Sequence, residues 1–230
     1  RKHTDLARAL FKTAMPVMLA TALAQPALGH IHSLNVGEHN PEKAAAYEGV
    51  FQTTNGATIY VAGIPDEKRR TVRMAVGIPR GLSFLRSGDP MSKVRGLDEF
   101  PEDTWPPVNV VFTAFHLMVL LGIGMTGIAA IGTLLLLRGR LLETRWFLLP
   151  LPWLVPLPYV ANELGWIGAE LGRQPWMIYG VVKTADSSSA ALPALYVAVS
   201  LTAIAIVYFA LTVFTVVIVR RMVKRGPEPG

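Results

Sequence analysis

The sequence predicts an all-α integral membrane protein with about four transmembrane helices and one long extracytoplasmic loop. Of its 230 residues, 51% are hydrophobic and only 17% are charged, and the mean hydropathy of +0.38 is too high for an ordinary soluble domain. The hydrophobic residues are gathered in runs that can span a bilayer at about 1.5 Å per residue. Lys and Arg stand at the ends of these runs, which is typical of membrane helices.

The net charge of +6 and the pI of about 9.8 are also typical of nucleic-acid-binding proteins. Here, however, the basic residues are spread along the chain and are not interleaved with aromatic residues on one surface. We therefore expect no nucleic-acid partner. The chain has no cysteine, which excludes disulfides, zinc–thiolate sites and cysteine-bound iron–sulfur clusters within it. Any metal must be held by His, Met or carboxylate groups.

The first predicted helix occupies residues 1–29, with its hydrophobic run between Leu6 and Leu28. A secretory signal peptide is the alternative, because basic residues precede the run and the small residues near Ala24 fit a cleavage site. The chain begins at Arg1 and not at a methionine. We therefore expect further sequence upstream that was cleaved or that lies on another chain.

Residues 30–108 form the predicted loop, since they are polar and are punctuated by glycine and proline. The segment Asn40 to Glu48 predicts a short helix, with an asparagine cap followed by a proline at the first helical position. Asn55-Gly56 lies between β-prone runs and predicts the turn of a hairpin within 51–63. The remainder of the loop is predicted to be irregular.

Three histidines stand where the loop opens: His30, His32 and His39. An alternating His-x-His pair could ligate a metal if it lay on a strand, because side chains two apart share one face of a strand. The sequence offers no third ligand nearby. We therefore favour histidines at an interface, and the metal site stays the alternative.

Residues 109–230 predict three further spans, at 109–137, from about 143 to 172, and from about Ala190 to 219. Four prolines crowd the first half of the third span, so kinks or local unwinding are expected there. Basic residues mark the span ends that the positive-inside rule assigns to the cytoplasm. The loop at 30–108 and the connection at 173–189 are therefore expected on the outer side.

Ionisable side chains occur inside the third span, where burial in lipid makes them costly. On an ideal helix four side chains fall within an arc of roughly 80°: Glu163, Trp166, Glu170 and Arg173. The glycines at 165, 168 and 172 fall on other faces and permit close packing. A metal centre or a cofactor with anionic groups would offset the desolvation of these charges. A simple salt bridge between Glu170 and Arg173 that only holds helices together is the alternative.

The second span carries His116 and Met118. These side chains leave a regular helix about 200° apart, so they cannot easily bind one metal from the same face. Methionine within a helix is usually core filler, which leaves Met118 without an assigned role on spacing alone.

Several motifs together resemble subunit I of cytochrome bd-type quinol oxidases. They are Gly165-Trp166, Ala169-Glu170 and the sequence GRQPW at 172–176, the loop pattern Pro41-x-Lys43-x-Ala45-Ala46-x-Glu48, Gly63-Ile64-Pro65-Asp66, and Phe115-His116-Leu117-Met118-Val119. The resemblance covers essentially the whole chain. The chain, in turn, covers only about the C-terminal half of the family's subunit, so the helices that carry the histidine ligands in the family are absent here.

The resemblance implies two haem ligands. Met118 corresponds to an axial ligand of the low-spin haem b, paired with a histidine of the missing part, and Glu170 to the ligand of the high-spin haem b. Trp166 would lie beside the haems and Arg173 near a propionate. A haem d or a further haem b is implied at the oxygen site.

Further cofactor-binding residues are expected at Glu163, which shares the charged face, and at His116, where some family members have arginine. Lys43 and Glu48 match the residues that oxidise quinol in the family. Glu48 would accept a proton from quinol and Lys43 would hold a quinol oxygen.

The resemblance thus implies a haem-binding subunit of a quinol:O2 oxidoreductase in the prokaryotic cytoplasmic membrane, with quinol oxidised at the outer face and O2 reduced to water. The implied partners are the N-terminal half of subunit I, a second membrane subunit, quinol, O2 and lipid. Two alternatives remain open. One is a transporter or channel subunit without redox chemistry, in which the charged face lines an ion path. The other is a haem-poor scaffold subunit of a respiratory complex.

Overall fold

The computed structural model describes residues 4–187 and 192–226, and the span ends expected at Arg1 and Ala190 lie outside these ranges. Its helices are α1 (Thr4–His39), α2 (Pro41–Glu48), α3 (Gly81–Ser87), α4 (Val108–Leu137), α5 (Arg145–Leu148), α6 (Leu151–Leu154), α7 (Leu157–Leu171) and α8 (Ala194–Arg225). Its strands are β1 (Thr54–Asn55), β2 (Ile59–Asp66), β3 (Thr71–Ile78), β4 (Lys93–Val94), β5 (Trp176–Ile178) and β6 (Val182–Lys183). Residues 4–186 form one compact unit, and α8 belongs to a second.

Three of the described helices are long and apolar enough to cross a membrane: α1, α4 and α8. They contain 36, 30 and 32 residues. At about 1.5 Å per residue each exceeds the hydrocarbon thickness of a bilayer, which is about 30 Å. These helices confirm the predicted class, an all-α integral membrane protein.

The third predicted span is interrupted. Between residues 145 and 171 the structure has three short helices in succession, α5, α6 and α7, and the last two begin directly after Pro150 and Pro156. Proline has no N–H to donate and its ring clashes with the carbonyl four residues earlier, so these positions divide the helix. The expected disruption is therefore observed. Because α7 has only 15 residues, the third of the four predicted spans stays a prediction.

The first helix is longer than expected. α1 continues through His39, so residues 30–39, assigned above to the loop, extend the helix instead. No proline occurs in this stretch, and the backbone N–H of Asn40 still donates to the carbonyl of Val36 at 2.8 Å. The chain therefore leaves the helix only at Asn40, where the next helix begins.

The short helix predicted at the start of the loop is confirmed as α2. The Asn40 side chain accepts a hydrogen bond from the backbone N–H of Lys43 at 3.1 Å, and Pro41 occupies the first position. α2 ends at Gly49, whose φ of 64° is left-handed and favours glycine. A Cβ there would also lie 2.8 Å from the Val72 side chain, so no larger residue fits.

The predicted hairpin at Asn55-Gly56 is wrong. Asn55 belongs to β1, which pairs with β4 from the far end of the loop, with Asn55 opposite Lys93. The actual hairpin is formed by the antiparallel strands β2 and β3. The segment predicted to be irregular therefore contains β3, α3 and β4. A local turn signal is weak when a distant strand offers the same backbone groups a better partner.

One apolar core joins the loop to the beginning of α4. Its buried members are Ala45, Ala46, Val50, Phe51, Ala57, Leu82, Val94, Leu97, Val108 and Val111. They come from α2, α3, β4, the first turn of α4 and the irregular segments of the loop between these elements. The loop is therefore a folded cap on the end of α4, and the position of α2 is determined by this packing.

Candidate functional site

Three glycines of the third predicted span, at 165, 168 and 172, face neighbouring helices. A Cβ at Gly165 would lie 2.8 Å from the sulfur of Met118 on α4, and a Cβ at Gly168 would lie 3.3 Å from the ring of Tyr47 on α2. A Cβ at Gly172 would lie 3.1 Å from the Lys43 side chain. Glycine at these positions permits a closer approach of backbone and side chains than any other residue. The predicted close packing is thus observed.

The opposite side of α7 carries the predicted charged face. Glu163 and Trp166 are exposed, Trp166 at 61%, and Glu170 is half-buried. Arg173 lies beyond the end of α7, which stops at Leu171, so it joins this face from the following turn and not from the helix itself.

Glu170 and Arg173 form an ion pair. Nε and Nη2 of Arg173 both approach the same carboxylate oxygen, Oε2 of Glu170, at 2.8 Å. The side chains remain 40% and 35% exposed, so the pair stabilises the fold by about 1 kcal/mol at most. Oε1 of Glu170 has no hydrogen-bond or ion-pair partner among the residues that the structure describes. This oxygen is available to a ligand.

Met118 and His116 leave α4 on different sides, as their spacing predicts. The thioether of Met118 packs over Gly165 of α7. The ring of His116 is buried and turns toward the loop, where Nε2 lies 3.0 Å from the carbonyl of Tyr60 in β2. Its Nδ1 lies 2.9 Å from the carbonyl of Phe112 in the same helix. His116 therefore attaches the hairpin to α4, and Met118 lies at the interface with α7.

Lys43 connects the loop to the charged end of α7. Its ammonium donates a hydrogen bond to the carbonyl of Ala169 at 2.9 Å, in the last turn of the helix where carbonyls lack helical partners. Burial lowers the pKa of Lys43, the neighbouring Glu170 opposes this change, and Arg173 adds to it. The structure thus brings together Lys43, Glu170 and Arg173, a contact that the sequence did not reveal.

Glu48 is buried, at 8% exposure, as is His116 among the predicted site residues. Burial raises the pKa of its carboxyl group to about 7, although the guanidinium of Arg86 acts in the opposite direction. Lys43 and Glu48 are five residues apart on α2, so their side chains diverge by about 140°. Lys43 reaches α7, and Glu48 remains inside the loop. The structure does not bring these two residues together.

Sequence reasoning missed three residues near this site. Arg86 on α3 acts electrostatically on Glu48, and nothing in the sequence around it indicates this. Glu42 contacts Trp176, the last residue of the GRQPW motif, through a hydrogen bond of 3.4 Å. Trp176 belongs to the GRQPW motif but had no assigned role, and this was the signal that could have drawn attention to it.

The histidines at the start of the loop do not form a metal site. His30 and His32 lie on α1, and side chains two apart on a helix diverge by about 200°. His39 uses Nδ1 in a contact of 3.0 Å with the carbonyl of Asn35. Within residues 4–187 and 192–226 no group of three or more His, Asp or Glu side chains could hold a metal ion.

Comparisons with known proteins agree on one family. The family model described as cytochrome bd terminal oxidase subunit I matches residues 1–227. The chain is 31% identical over 239 aligned residues to cytochrome bd ubiquinol oxidase subunit 1 of Bacillus subtilis (strain 168), covering 99% of this chain and 51% of the relative. It is 37% identical over 161 residues to a putative cytochrome bd menaquinol oxidase subunit I of the same organism, covering 69% of this chain and 36% of the relative.

A solved structure is also similar, that of the bd oxidase from Geobacillus thermodenitrificans. The TM-score is 0.74 at 31% sequence identity, over 98% of this chain and 50% of that chain. The chain thus spans about half the length of the solved structure, and about half or less of the curated relatives it matches.

We predict that His116→Phe loosens the hairpin while α4 stays folded. Phenylalanine keeps a flat ring to stack on Phe112, whose centroid lies 3.7 Å from that of His116, but it removes the contact with the Tyr60 carbonyl. A buried acceptor left without its donor costs about 1–3 kcal/mol. Hydrogen exchange of β2 should therefore become faster, with α4 unchanged. Unchanged protection of β2 would show that the apolar core alone holds the hairpin.

Proposed function

The chain belongs to the cytochrome bd terminal oxidase subunit I family, and from this premise we propose that it is the haem-binding C-terminal part of a quinol:O2 oxidoreductase. In this proposal the folded cap oxidises quinol, and α4 and α7 carry residues that bind haem. The family membership and the three long apolar helices make it a membrane protein. Its activity as a quinol oxidase belongs to the proposal, because the chain spans only half of its relatives.

The observation that carries the proposal is the hydrogen bond between Lys43 and the carbonyl of Ala169. It connects α2, where the quinol-oxidising pattern lies, to the last turn of α7, next to Glu170. A quinol oxidase must bring its electron donor close to the first electron acceptor, and a loop that packs on the haem-binding helix meets this requirement. A solvated surface helix, the ordinary alternative for a Lys–Glu pattern, would not make this contact.

The residues present fit haem as a cofactor. Gly165 leaves room for the sulfur of Met118 between α4 and α7, and a Cβ in its place would lie 2.8 Å from that sulfur. A thioether suits a low-spin iron with a raised potential. Glu170 keeps Oε1 free of partners among the described residues, and a carboxylate suits a high-spin iron. When bound, the haems supply the electron transfer and the reduction of O2.

Arg173 can serve Glu170 and a haem propionate together. A guanidinium has five N–H donors, and Glu170 accepts from two of its nitrogens. Of the remaining donors, Nη1 has a contact of 3.5 Å with the sulfur of Met177, a weak acceptor that a second carboxylate in the same planar arrangement could replace. Trp166 is exposed on the same side of α7, where its ring can cover a flat apolar cofactor. Glu163 lies on the same face of α7. His116 leaves α4 on a different side from Met118 and turns toward the loop, so we assign His116 to anchoring the loop.

Quinol oxidation would use two groups of α2 with separate roles. Glu48, with a pKa of about 7, can accept a proton from a quinol hydroxyl near neutral pH. Lys43 has three N–H donors and gives one to Ala169, so it can still hold a quinol oxygen.

The partners in this proposal are the N-terminal half of subunit I, which supplies histidine ligands, and a second membrane subunit. A haem d or a further haem b at the oxygen site would belong to that assembly, with the loop on the outer side.

The first prediction from this proposal concerns Met118→Leu in the assembled complex. Leucine has nearly the same volume, so the cost to stability should stay below about 1.5 kcal/mol, but it offers iron no lone pair. We expect the absorption bands of the low-spin haem b to disappear while those of the other haems persist. His116→Phe is the control on the same helix and should keep the low-spin bands. Unchanged bands in Met118→Leu would refute the ligand assignment, and the absence of any haem band in the wild type would favour the scaffold or transporter alternatives.

The second prediction distinguishes an iron ligand from a simple salt bridge at Glu170. If Glu170 binds iron, Glu170→Gln should lose the high-spin haem, measured by pyridine haemochrome content. The free energy of unfolding should change by only about 1 kcal/mol, because the ion pair with Arg173 is partly exposed. Normal haem content in Glu170→Gln, with stability recovered in the double mutant Glu170→Gln, Arg173→Gln, would identify a simple salt bridge.

The third prediction concerns pH. Below about pH 7 Glu48 is protonated and cannot accept a proton, so quinol turnover of the wild type should rise as the pH increases through about 7. Glu48→Gln should lower turnover by about 100-fold or more and abolish this rise, while artificial reductants still reduce the haems. The matched control is the exposed Glu38→Gln, which should keep the wild-type profile. Equal losses with quinol and with artificial reductants would indicate a structural role for Glu48.

A further inference from the structure

Glu42 is a buried carboxyl group next to Lys43 that the quinol mechanism does not use. It lies in the first turn of α2 and is only 5% exposed. Its two oxygens meet side chains from distant parts of the chain. Oε1 lies 3.0 Å from the hydroxyl of Thr104 at the end of the loop, and Oε2 accepts from the indole N–H of Trp176 at 3.4 Å. Glu42 therefore joins three segments: α2, the end of the loop and the connection after α7.

The hydroxyl of Thr104 has only one proton, and it lies between two oxygen atoms. The carbonyl of Pro101 is closer, at 2.7 Å, than Oε1 of Glu42 at 3.0 Å. A carbonyl can only accept, so the shorter contact places the hydroxyl proton on the Pro101 side. The contact with Glu42 is then satisfied when the carboxyl group itself supplies a proton. A neutral carboxylic acid fits this site, since one oxygen donates to Thr104 and the other accepts from Trp176.

The surroundings of Glu42 agree with a neutral acid. Burial raises the pKa of its carboxyl group, and this effect is larger than the lowering by the contacts with Thr104 and Trp176 and than the effect of any neighbouring charge. Among those charges, Arg95 favours the ionised form and Asp103 the neutral form. Asp103 is itself bound to Lys183 at 2.9 Å, which reduces its effect. Tyr179 is a further titratable side chain that interacts electrostatically with Glu42.

We propose that Glu42 is a neutral carboxylic acid in the working protein and acts as a positioning residue for quinol oxidation, an inference that rests on the function proposed above. Its contact with Trp176 holds the first turn of α2 against the chain segment that follows α7. Lys43 is the next residue, and its hydrogen bond to Ala169 depends on the same placement of α2. Glu42 acts through Lys43 and does not itself touch quinol.

The test compares Glu42→Gln with Glu42→Ala in the assembled complex. Glutamine reproduces the hydrogen bonds of the neutral acid, because its NH2 group donates to Thr104 and its oxygen accepts from Trp176. We expect Glu42→Gln to keep the wild-type KM for quinol and the wild-type kcat. Glu42→Ala should raise the KM by about tenfold, the effect of losing roughly one buried hydrogen bond. Trp176→Phe removes only the indole donor and should raise the KM in the same direction, which covers the case that Glu42→Ala does not fold.

Infrared spectroscopy provides a readout that a merely structural role would not produce. The difference spectrum between the wild type and Glu42→Gln, recorded well above pH 7 where Glu48 is ionised, should contain the C=O band of one protonated carboxylic acid. A difference spectrum with carboxylate bands instead, or a loss of activity in Glu42→Gln as large as in Glu42→Ala, would overturn the neutral acid. An unchanged KM in both Glu42→Ala and Trp176→Phe would overturn the positioning role.

The outcome is separable from that of the proposed function. If Glu48→Gln retains full quinol turnover, the assignment of Glu48 as the quinol base fails, and the infrared band still decides the protonation of Glu42. If Glu48→Gln is inactive and the band is absent, the quinol reaction stands and the inference about Glu42 is wrong.

Discussion

The close packing of α7 on α4 and α2 is the constraint on which the rest of the structure depends. At Gly165, Gly168 and Gly172 a Cβ would lie within 3.3 Å of a side chain of a neighbouring helix. Because this face is committed to packing, the opposite face with Trp166 and Glu170 must point away from α4. The rotation of α7 about its axis is therefore fixed by its glycines, and the charged face follows from it.

The folded cap shows how carboxyl groups can be buried outside the membrane-spanning helices. Glu42 and Glu48 both lie in a short helix of eight residues whose apolar side is formed mostly by alanines. Small side chains allow the helix to lie close to α4 and α7, and this closeness is what removes water from the two carboxyl groups. Desolvation then raises the pKa values of both groups, that of Glu48 to about 7, where proton transfer is most effective. Packing and acid–base properties thus have the same origin.

Much of the fold follows from local sequence, and particular failures show where that reasoning ends. The cap at Asn40, the apolar spans and the disruption by prolines were all predicted, because each depends on residues within one helix turn or one continuous run. The hairpin predicted at Asn55 was wrong, since β1 pairs with β4 nearly forty residues away and the turn preference could not compete. Helix α1 continues beyond its predicted end, because polar residues by themselves do not stop a helix before Asn40.

The sequence by itself determined the chemical groups of the candidate site and the faces on which they lie. The divergence of His116 from Met118 follows from helix periodicity, which requires no knowledge of distant residues. Only the tertiary structure decided which groups meet, such as Lys43 with Ala169, or Glu42 with a tryptophan of the GRQPW motif. The physical reason is that these contacts join residues more than a hundred positions apart. Local spacing does not restrict such pairs, and the packing of whole helices selects them.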